Sequence, residues 1–549
     1  VLLTGRAPGA GPAPQTVPDA GTATATALLN CLVREVAAPD RQVRAEGAHL
    51  TVRLPRVGVE LRTGLARPPA GPAHRLVPPY EERRGARWIP ADWRRLADLI
   101  SGELELATGH ANPEFLPQVR DSHTALTAIL AAREQRPADA DVFLESEQSL
   151  IAGHRFHPSP KSRQGDPADW LPYAPEARTR FRPHWLAVRE DVLVEAGDRA
   201  AFAALEALGP DAPAGYRLLP AHPWQLSLLS GRTALQRAER AGLVRDLGEG
   251  GPEAAPTSSI RTAYLPDADT FCKFSLDVRI TNCVRKNAWY ELEGAVALNE
   301  LLRPVFAALG VRFDGCVLLA EPAYRSVALA DRRLYEGLGV ILRQGVRNLA
   351  GTPLLAGALT DPYGTFLRRL PVLSCAEGAL AWWDAYVRRV VRPVLHAFLS
   401  YGVVLEPHLQ NVLIVLDDDG MPVQTAFRDL EGTKLVADRW AEELAGLPAR
   451  VREGLSYDSA RGWNRVVYCL LVNHLAEVAA ALADLYPELE THLWRVTRAH
   501  VEDCADRDHP ELRALLAGVP LPAKANLRAR WARTADRGAT YVPAPNPLA

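Results

Sequence analysis

Lysine is nearly absent from this chain. Of 63 basic residues only Lys161, Lys273, Lys286, Lys434 and Lys524 are lysine. With abundant Ala, Pro and Gly, this bias towards Arg suggests a GC-rich coding sequence in which a retained lysine has a specific task. The seven cysteines (31, 272, 283, 316, 375, 469, 504) are scattered, odd in number and never form a Cys-x-x-Cys pair. That spacing argues against a disulfide framework, a zinc site or an iron–sulfur centre, and it suits reduced thiols in a cytoplasm. Neither sign of charge dominates, the formal net charge being −2. A global attraction to nucleic acid or an anionic membrane is thereby excluded, and any anion site must be local. An uninterrupted apolar run is also lacking: "VVYCLLVNHLAEVAAALADLY" is broken by Asn473, His474 and Glu477 and reads as a core helix rather than a membrane span. The opening "VLLTGRAPGAGPAPQTVPDAGTATAT" holds no apolar stretch long enough for a signal peptide and too little to build a core. Residues 1–25 are therefore expected to form a disordered tail.

What is present is 549 residues, 48% hydrophobic and 23% charged, an ordinary soluble composition too long for one core. The patterning predicts an α+β protein in three parts. Residues 26–150 read as a mixed lobe: a short helix, a hairpin over "AHLTVRLPRVGVELRTGL" and two helices over "PADWRRLADLISGELELATG" and "VRDSHTALTAILAAREQ". Residues 151–345 carry strand patterns such as "HWLAVRE" and "YRLLPAHPWQL", and residues 346–549 are mainly helical. The strongest strand signal is "KFSLDVRIT", expected to put Lys273, Ser275, Asp277, Arg279 and Thr281 on one face and to pair with "SSIRTAYL" across the turn "PDAD", so that Ser259 and Arg261 share a strand face. No repeat of 20 to 50 residues appears.

Two constellations stand out. Arg261, Lys273, Arg279, Arg285 and Lys286 gather five cations in 26 residues, with Ser258, Ser259, Thr262 and Thr281 between them. Guanidinium forks, a point-charge ammonium and short hydroxyls are what a polyphosphate needs, although a solvated basic face would look the same. The second is "VLEPHLQNVLIV" followed by "FRDLEGTKL". Glu406, Asn411 and Asp429 are oxygen donors of the kind Mg²⁺ takes, His408 is a neutral donor or acceptor, and two strands joined through "DDDGMP" would bring Asn411 and Asp429 to one end of a hairpin. Two further motifs are "GHRFHPSPKSRQG", with His154, His157 and Lys161, and "AHPWQ". Four of the five lysines fall in motifs covering roughly a tenth of the chain, where chance would place about half of one.

These blocks, in this order over residues 150 to 435, resemble the NRPS-independent siderophore synthetases of the IucA/IucC (aerobactin synthetase) type: "GHRFHPSPKSRQG", "HPWQ", "SSIRT", "KFSLDVRITNCVRKN", "EPHLQN" and "RDLEG". Arg155 stands where the family's first block carries Pro after its Gly-His. The resemblance implies a cradle of thumb, fingers and palm lobes, with a mixed or antiparallel sheet in the fingers and a mainly helical palm. It implies an ATP- and Mg²⁺-dependent ligase that adenylates a carboxylate of citrate, a citrate derivative or a related dicarboxylate and condenses it with an amine, hydroxylamine or hydroxyl. Small polycarboxylates and amines are the implied partners, in the cytoplasm, without nucleic acid or membrane and with room for a homodimer. Carried over, His157, Lys161, Ser259, Arg261, Thr262, Lys273, Arg285 and Gln410 would bind ATP, and His408, Arg285 and Lys273 would be catalytic. Thr281, Arg285, His408, Arg461 and Arg465 would meet the substrate carboxylate, and Glu406, Asn411 and Asp429 would hold the metal. Two rivals stay open: a kinase of the aminoglycoside-phosphotransferase type, whose acid-His-Asn loop Glu406, His408 and Asn411 imitate, and a siderophore-binding or ferric-siderophore reductase-like protein, for which only Cys469 and Cys504 lie beyond residue 400.

Overall fold

The computed structural model describes residues 17–281, 283–504, 509–534, 538 and 540–549. Most of the expected tail lies outside these residues, but its end does not: Ala20–Leu32 is helical, opened by Asp19, whose carboxylate accepts the Thr22 N–H at 2.6 Å. Buried Ala25, Leu28, Leu29 and Leu32 pack this helix on a five-stranded antiparallel sheet whose strands run in chain order, Val43–Glu46, His49–Leu54, Val59–Leu65, Leu76–Arg84 and Arg87–Pro90. Helices Trp93–Thr108 and Phe115–Glu134 complete that lobe, the first ending on left-handed Gly109 (φ 70°). Leu527 and Trp531 join the same core from the far end of the sequence. The C-terminal region is therefore not one lobe.

The middle region holds an antiparallel sheet of six strands in which Thr262–Leu265 pairs with Thr270–Phe274, Thr262 opposite Lys273, as the turn between them predicts. The alternating run does not continue as one strand. It breaks at Ser275, whose hydroxyl donates to the Glu336 carbonyl at 2.5 Å and accepts the Asn287 N–H at 3.0 Å. Leu276–Ile280 then pairs in a separate hairpin with Cys283–Arg285. Gln225 of the "HPWQ" motif pins this exit by accepting the Asp277 N–H at 2.7 Å. The expected common face is thus divided, with Lys273 buried in the large sheet and Arg279 exposed on the hairpin. Ser259 and Arg261 are not on a strand either, because Ile260 takes φ 57° and the chain turns there.

Helix Trp289–Arg312 crosses into the C-terminal core, and Cys316–Leu318 pairs there, parallel, with Pro422–Phe427 in a four-stranded mixed sheet. The boundary expected at 345 is crossed by both. Helix Ala376–Tyr401 buries Trp382, Trp383, Tyr386, Val387, Val390, Val391 and Val394 along one stripe and stops at Gly402 (φ 65°). Each large apolar side chain so buried contributes roughly 1.5–3 kcal/mol. The helical stretch Ser459–Ala483 is long and apolar enough to span a membrane, but the most apolar 18 residues within it are 89% buried inside the protein, where they form part of its core. Strands Val412–Leu416 and Pro422–Phe427 make the expected hairpin, and the Arg428 N–H donates to the Asn411 carbonyl at 3.1 Å across its open end.

Candidate active site

A cleft of about 1160 Å³ runs between the three regions. One wall is the loop after Val403–Val404. Its turns are local: the His408 N–H donates to the Glu406 carbonyl (2.8 Å) and the Asn411 N–H to the His408 carbonyl (2.9 Å). The loop is held from below by the π-helical segment Tyr468–Leu475, where the His474 Nδ1–H donates to the Pro407 carbonyl at 2.7 Å and Nε2 accepts from the Tyr386 hydroxyl at 2.6 Å. Burial pushes His474 down to about 4, which keeps the ring in that neutral form.

The histidine motifs share one device. At His154, His157, His222 and His408, Nδ1 accepts the N–H two residues on, at 3.1 to 3.3 Å. At His157, His222 and His408 a neutral ring so held carries its proton on Nε2, whereas the His154 Nε2 faces the donor amide nitrogen of Asn473 at 2.8 Å. His222 spends this in a cage of Tyr173, Phe181 and Phe274 and is a core residue. The other three line the cleft. Burial lowers the pKa of His408, against the pull of Glu406. It pushes His154 down to about 3.

The two constellations meet. The Gln410 amide donates to the Ser258 carbonyl at 2.9 Å, and Arg428 grips Glu147 through two hydrogen bonds (2.6 and 3.1 Å) while donating to the Gln410 carbonyl at 2.9 Å. Behind them, Lys273 Nζ stands 2.5 Å from Asp429 and 2.9 Å from Glu431. Arg261 donates to Glu431 and to the Asn287 side chain, both at 2.6 Å, and Arg343, paired with buried Glu321, lies 3.6 Å from Asp429. Burial pushes these carboxyls up, but the cations outweigh it: Glu431 sits at about 2 and Asp429 far below the usual carboxylate range. Asp429 is also held at φ 73°, a left-handed conformation unusual for a residue other than Gly and found where a site fixes a side chain.

Several residues stand elsewhere than expected. Lys273, Ser259 and Thr262 are behind the cleft wall, the Ser259 hydroxyl donating to the Thr262 hydroxyl at 2.8 Å. Lys161 lines the cleft but gives its ammonium to Glu176 at 2.6 Å and to the Leu150 carbonyl. Glu406 is held by Arg465 in a close pair that keeps the guanidinium strongly basic. Arg461 is not in the cleft: it is exposed and lies over the Tyr457 ring, 4.0 Å from the centroid, one turn nearer the solvent than Arg465. Arg285, by contrast, meets no carboxylate among the described residues; its nearest partner is the Thr281 hydroxyl at 3.4 Å. Sequence reasoning missed Glu431, although it lies inside the quoted "RDLEG", and also Arg343, Glu147 and Lys524. The last reaches the cleft on strand Leu521–Lys524, anchored where the Asn526 amide donates to the Phe156 carbonyl at 2.8 Å. The lysine bias carries further than the motifs did: Lys161, Lys434 and Lys524 all line the cleft and Lys273 lies directly behind it. Only Lys286 is diverted, to Glu336 at 2.9 Å.

A family model described as IucA / IucC family matches residues 142–361, and one described as ferric iron reductase FhuF-like transporter matches residues 380–539. The chain is 30% identical to an L-2,3-diaminopropanoate–citrate ligase of Staphylococcus aureus, over 74% of this chain and 75% of that one. It is 29% identical to the rhizobactin siderophore biosynthesis protein RhbC of Rhizobium meliloti, over 96% and 98%. Among solved structures, ATP-bound aerobactin synthetase IucA of Klebsiella pneumoniae superposes with a TM-score of 0.85 at 26% identity, covering 96% of this chain and 99% of that one.

Proposed function

The chain belongs to the IucA/IucC family, and from that premise we propose that it is a siderophore synthetase that activates a carboxylate of citrate, a citrate derivative or a related dicarboxylate with ATP and joins it to an amine, hydroxylamine or hydroxyl. In the first step a carboxylate oxygen bonds to the α-phosphorus as the bond to pyrophosphate breaks. In the second the amine nitrogen bonds to the acyl carbon, AMP leaves with the electron pair, and the amine proton passes to solvent. No protein nucleophile is needed.

The observation that carries this reading is the convergence, in one cleft, of an uncommitted guanidinium, a proton-donating imidazole and ionised oxygen ligands. Two anions must be brought together, so positive charge has to be in place before they meet. Arg285, which meets no carboxylate among the described residues, is suited to the α-phosphate and the reacting carboxylate together, in the fork geometry that guanidinium offers. His408 offers Nε2–H to the same oxygens and holds it there through its Nδ1 contact. Lys273 and Arg343 act from behind the cleft wall and Arg261 from its lining, fixing Asp429 and Glu431 in their ionised form. The oxygen-only donor set of Glu406, Asn411 and Asp429, with Glu431 beside them, suits Mg²⁺, which when bound would neutralise charge on the phosphates. Thr281, Gln410, His157, Lys161 and Arg465 border this region and are assigned to orienting the two substrates.

The FhuF-like match covers the C-terminal region, yet that region supplies only Cys469 and Cys504 where an iron–sulfur centre takes four cysteines. The test is product analysis with ATP, Mg²⁺, citrate and a panel of amines. Sustained turnover to AMP and pyrophosphate that needs both acid and amine would support the reading. Stoichiometric ADP would overturn it in favour of a kinase.

A further inference from the structure

Two buried polar side chains lie under the loop that carries His408 without reaching the cleft. Tyr386 and His474 are both fully buried, and neither lines the cavity. Tyr386 is clamped by its own helix, its ring stacked on Trp382 at 4.9 Å between centroids and on Trp383 at 5.8 Å. Its hydroxyl donates to His474 Nε2 at 2.6 Å, and the His474 Nδ1–H donates to the Pro407 carbonyl at 2.7 Å. Replacing two such buried partners by apolar groups of the same shape is typically near neutral, so as pure scaffold the pair brings little. Its one outlet is directional: a donor held against the peptide that precedes His408.

The segment that supplies His474 is π-helical, a rare geometry found frequently at functional sites. Two consecutive side chains of that segment meet the loop on either side of His408. His474 takes the Pro407 carbonyl, and the Asn473 Oδ1 accepts the Leu409 N–H at 3.4 Å. One residue further on, Arg428 donates to the Gln410 carbonyl at 2.9 Å. His408 therefore sits between braced neighbours, and its ring is oriented in turn by the Gln410 N–H on Nδ1 at 3.3 Å. A line of fixed groups thus runs from the Trp382–Trp383 stack in the core to an imidazole in the cleft lining.

We propose that Tyr386 and His474 are positioning residues for the activation step: a relay from the core that aims the His408 ring by fixing the Pro407 carbonyl, without touching either substrate. The inference rests on the ligase reading above and deepens it. ATP–pyrophosphate exchange, run with the acid that supports ligation, reports the first step alone. His474→Leu, which removes the donor at similar volume, should lower kcat for exchange about 10- to 10²-fold, the scale of a small displacement of a reacting group, with KM for ATP and acid changed less than about 2-fold. His474→Asn, whose amide can place an N–H where Nδ1 stood, should recover part of the rate, and Tyr386→Phe should show a smaller loss of the same kind. The discriminating measurement is a double-mutant cycle with His408→Ala. A residue that acts only through His408 has nothing left to position in that background, so His474→Leu should cost exchange no more than about 2-fold there. A merely structural role would cost the same factor in both backgrounds. Tyr386→Phe paired with His408→Ala carries the same test if His474→Leu does not fold. Equal losses with and without His408, a loss confined to KM, or wild-type kcat in His474→Leu overturns the assignment and leaves the ligase reading standing. Absence of exchange in wild type overturns both.

Discussion

Lys273→Met removes the ammonium that two carboxylates share while keeping the length of the stem. The side chain is 1% exposed, with Nζ 2.5 Å from Asp429 and 2.9 Å from Glu431. Deleting one partner of a buried pair costs about 3–5 kcal/mol because the remaining charge is left uncompensated. Here Asp429 and Glu431 keep 30% and 33% of their side chains exposed, Arg261 stays 2.6 Å from Glu431 and Arg343 3.6 Å from Asp429, so the expected loss falls below that range, at about 2 kcal/mol. Its pH dependence has a definite sign. The folded pKa values of both carboxyls are depressed, so their contribution to stability is complete above the ordinary carboxylate pKa near 4 and disappears as pH falls through the folded values, about 2 for Glu431. The gap between wild type and Lys273→Met should therefore be widest near pH 7 and narrow progressively as pH falls below about 4, Glu431 losing its share near pH 2 and Asp429 lower still. Lys273→Arg keeps the charge but overfills the site, at about 1–3 kcal/mol. A displacement of about 1 Å in the carboxylates it holds would slow turnover on the order of 10²-fold. Denaturant melts across pH, with steady-state pyrophosphate release, measure both effects. A gap that does not vary with pH, or full turnover in Lys273→Arg, refutes the assignment.

Arg285→Ala should lose about 10² to 10³ in turnover, roughly 3–4 kcal/mol, whereas Arg279→Ala, half-exposed and 4.0 Å from Glu114, should lose almost none; equal small losses would make the cluster a solvated face. Lys524→Ala should slow ligation about 10-fold or more as judged by kcat/KM, and Lys286→Arg, on the Glu336 pair outside the cleft, should be tolerated. Stability should fall as pH drops from about 6.5 to about 4, because the unfolded chain binds a proton on His474 in that window and the folded chain does not, a loss of about 3 kcal/mol from this residue. His474→Gln should flatten that part of a denaturation-versus-pH curve, and an unchanged slope would assign it to other groups.

Local chemistry made a good deal of this protein legible in its sequence. The turn "PDAD" set the pairing of Thr262 with Lys273, Gly109 and Gly402 ended their helices in the left-handed conformation, and the hairpin around "DDDGMP" brought Asn411 beside the Arg428–Asp429 corner, because each depends on a few adjacent residues. The histidine motifs belong here too: a ring nitrogen accepting the N–H two residues on is a local turn. Tertiary structure decided which charges face each other. Alternation alone could not reveal the break at Ser275, which rests on Glu336 and Asn287, nor could a run of cations show that Lys273 and Arg261 would be committed to carboxylates while Arg285 stayed uncommitted. Arg461 and Arg465 look alike at four residues' spacing, and only the approach of Glu406 separates them. Lys524 shows the same limit most clearly. Its own neighbours give no sign of a site, and it enters the cleft because Leu527 and Trp531 bury their side chains in the N-terminal core, an interaction across nearly the whole chain.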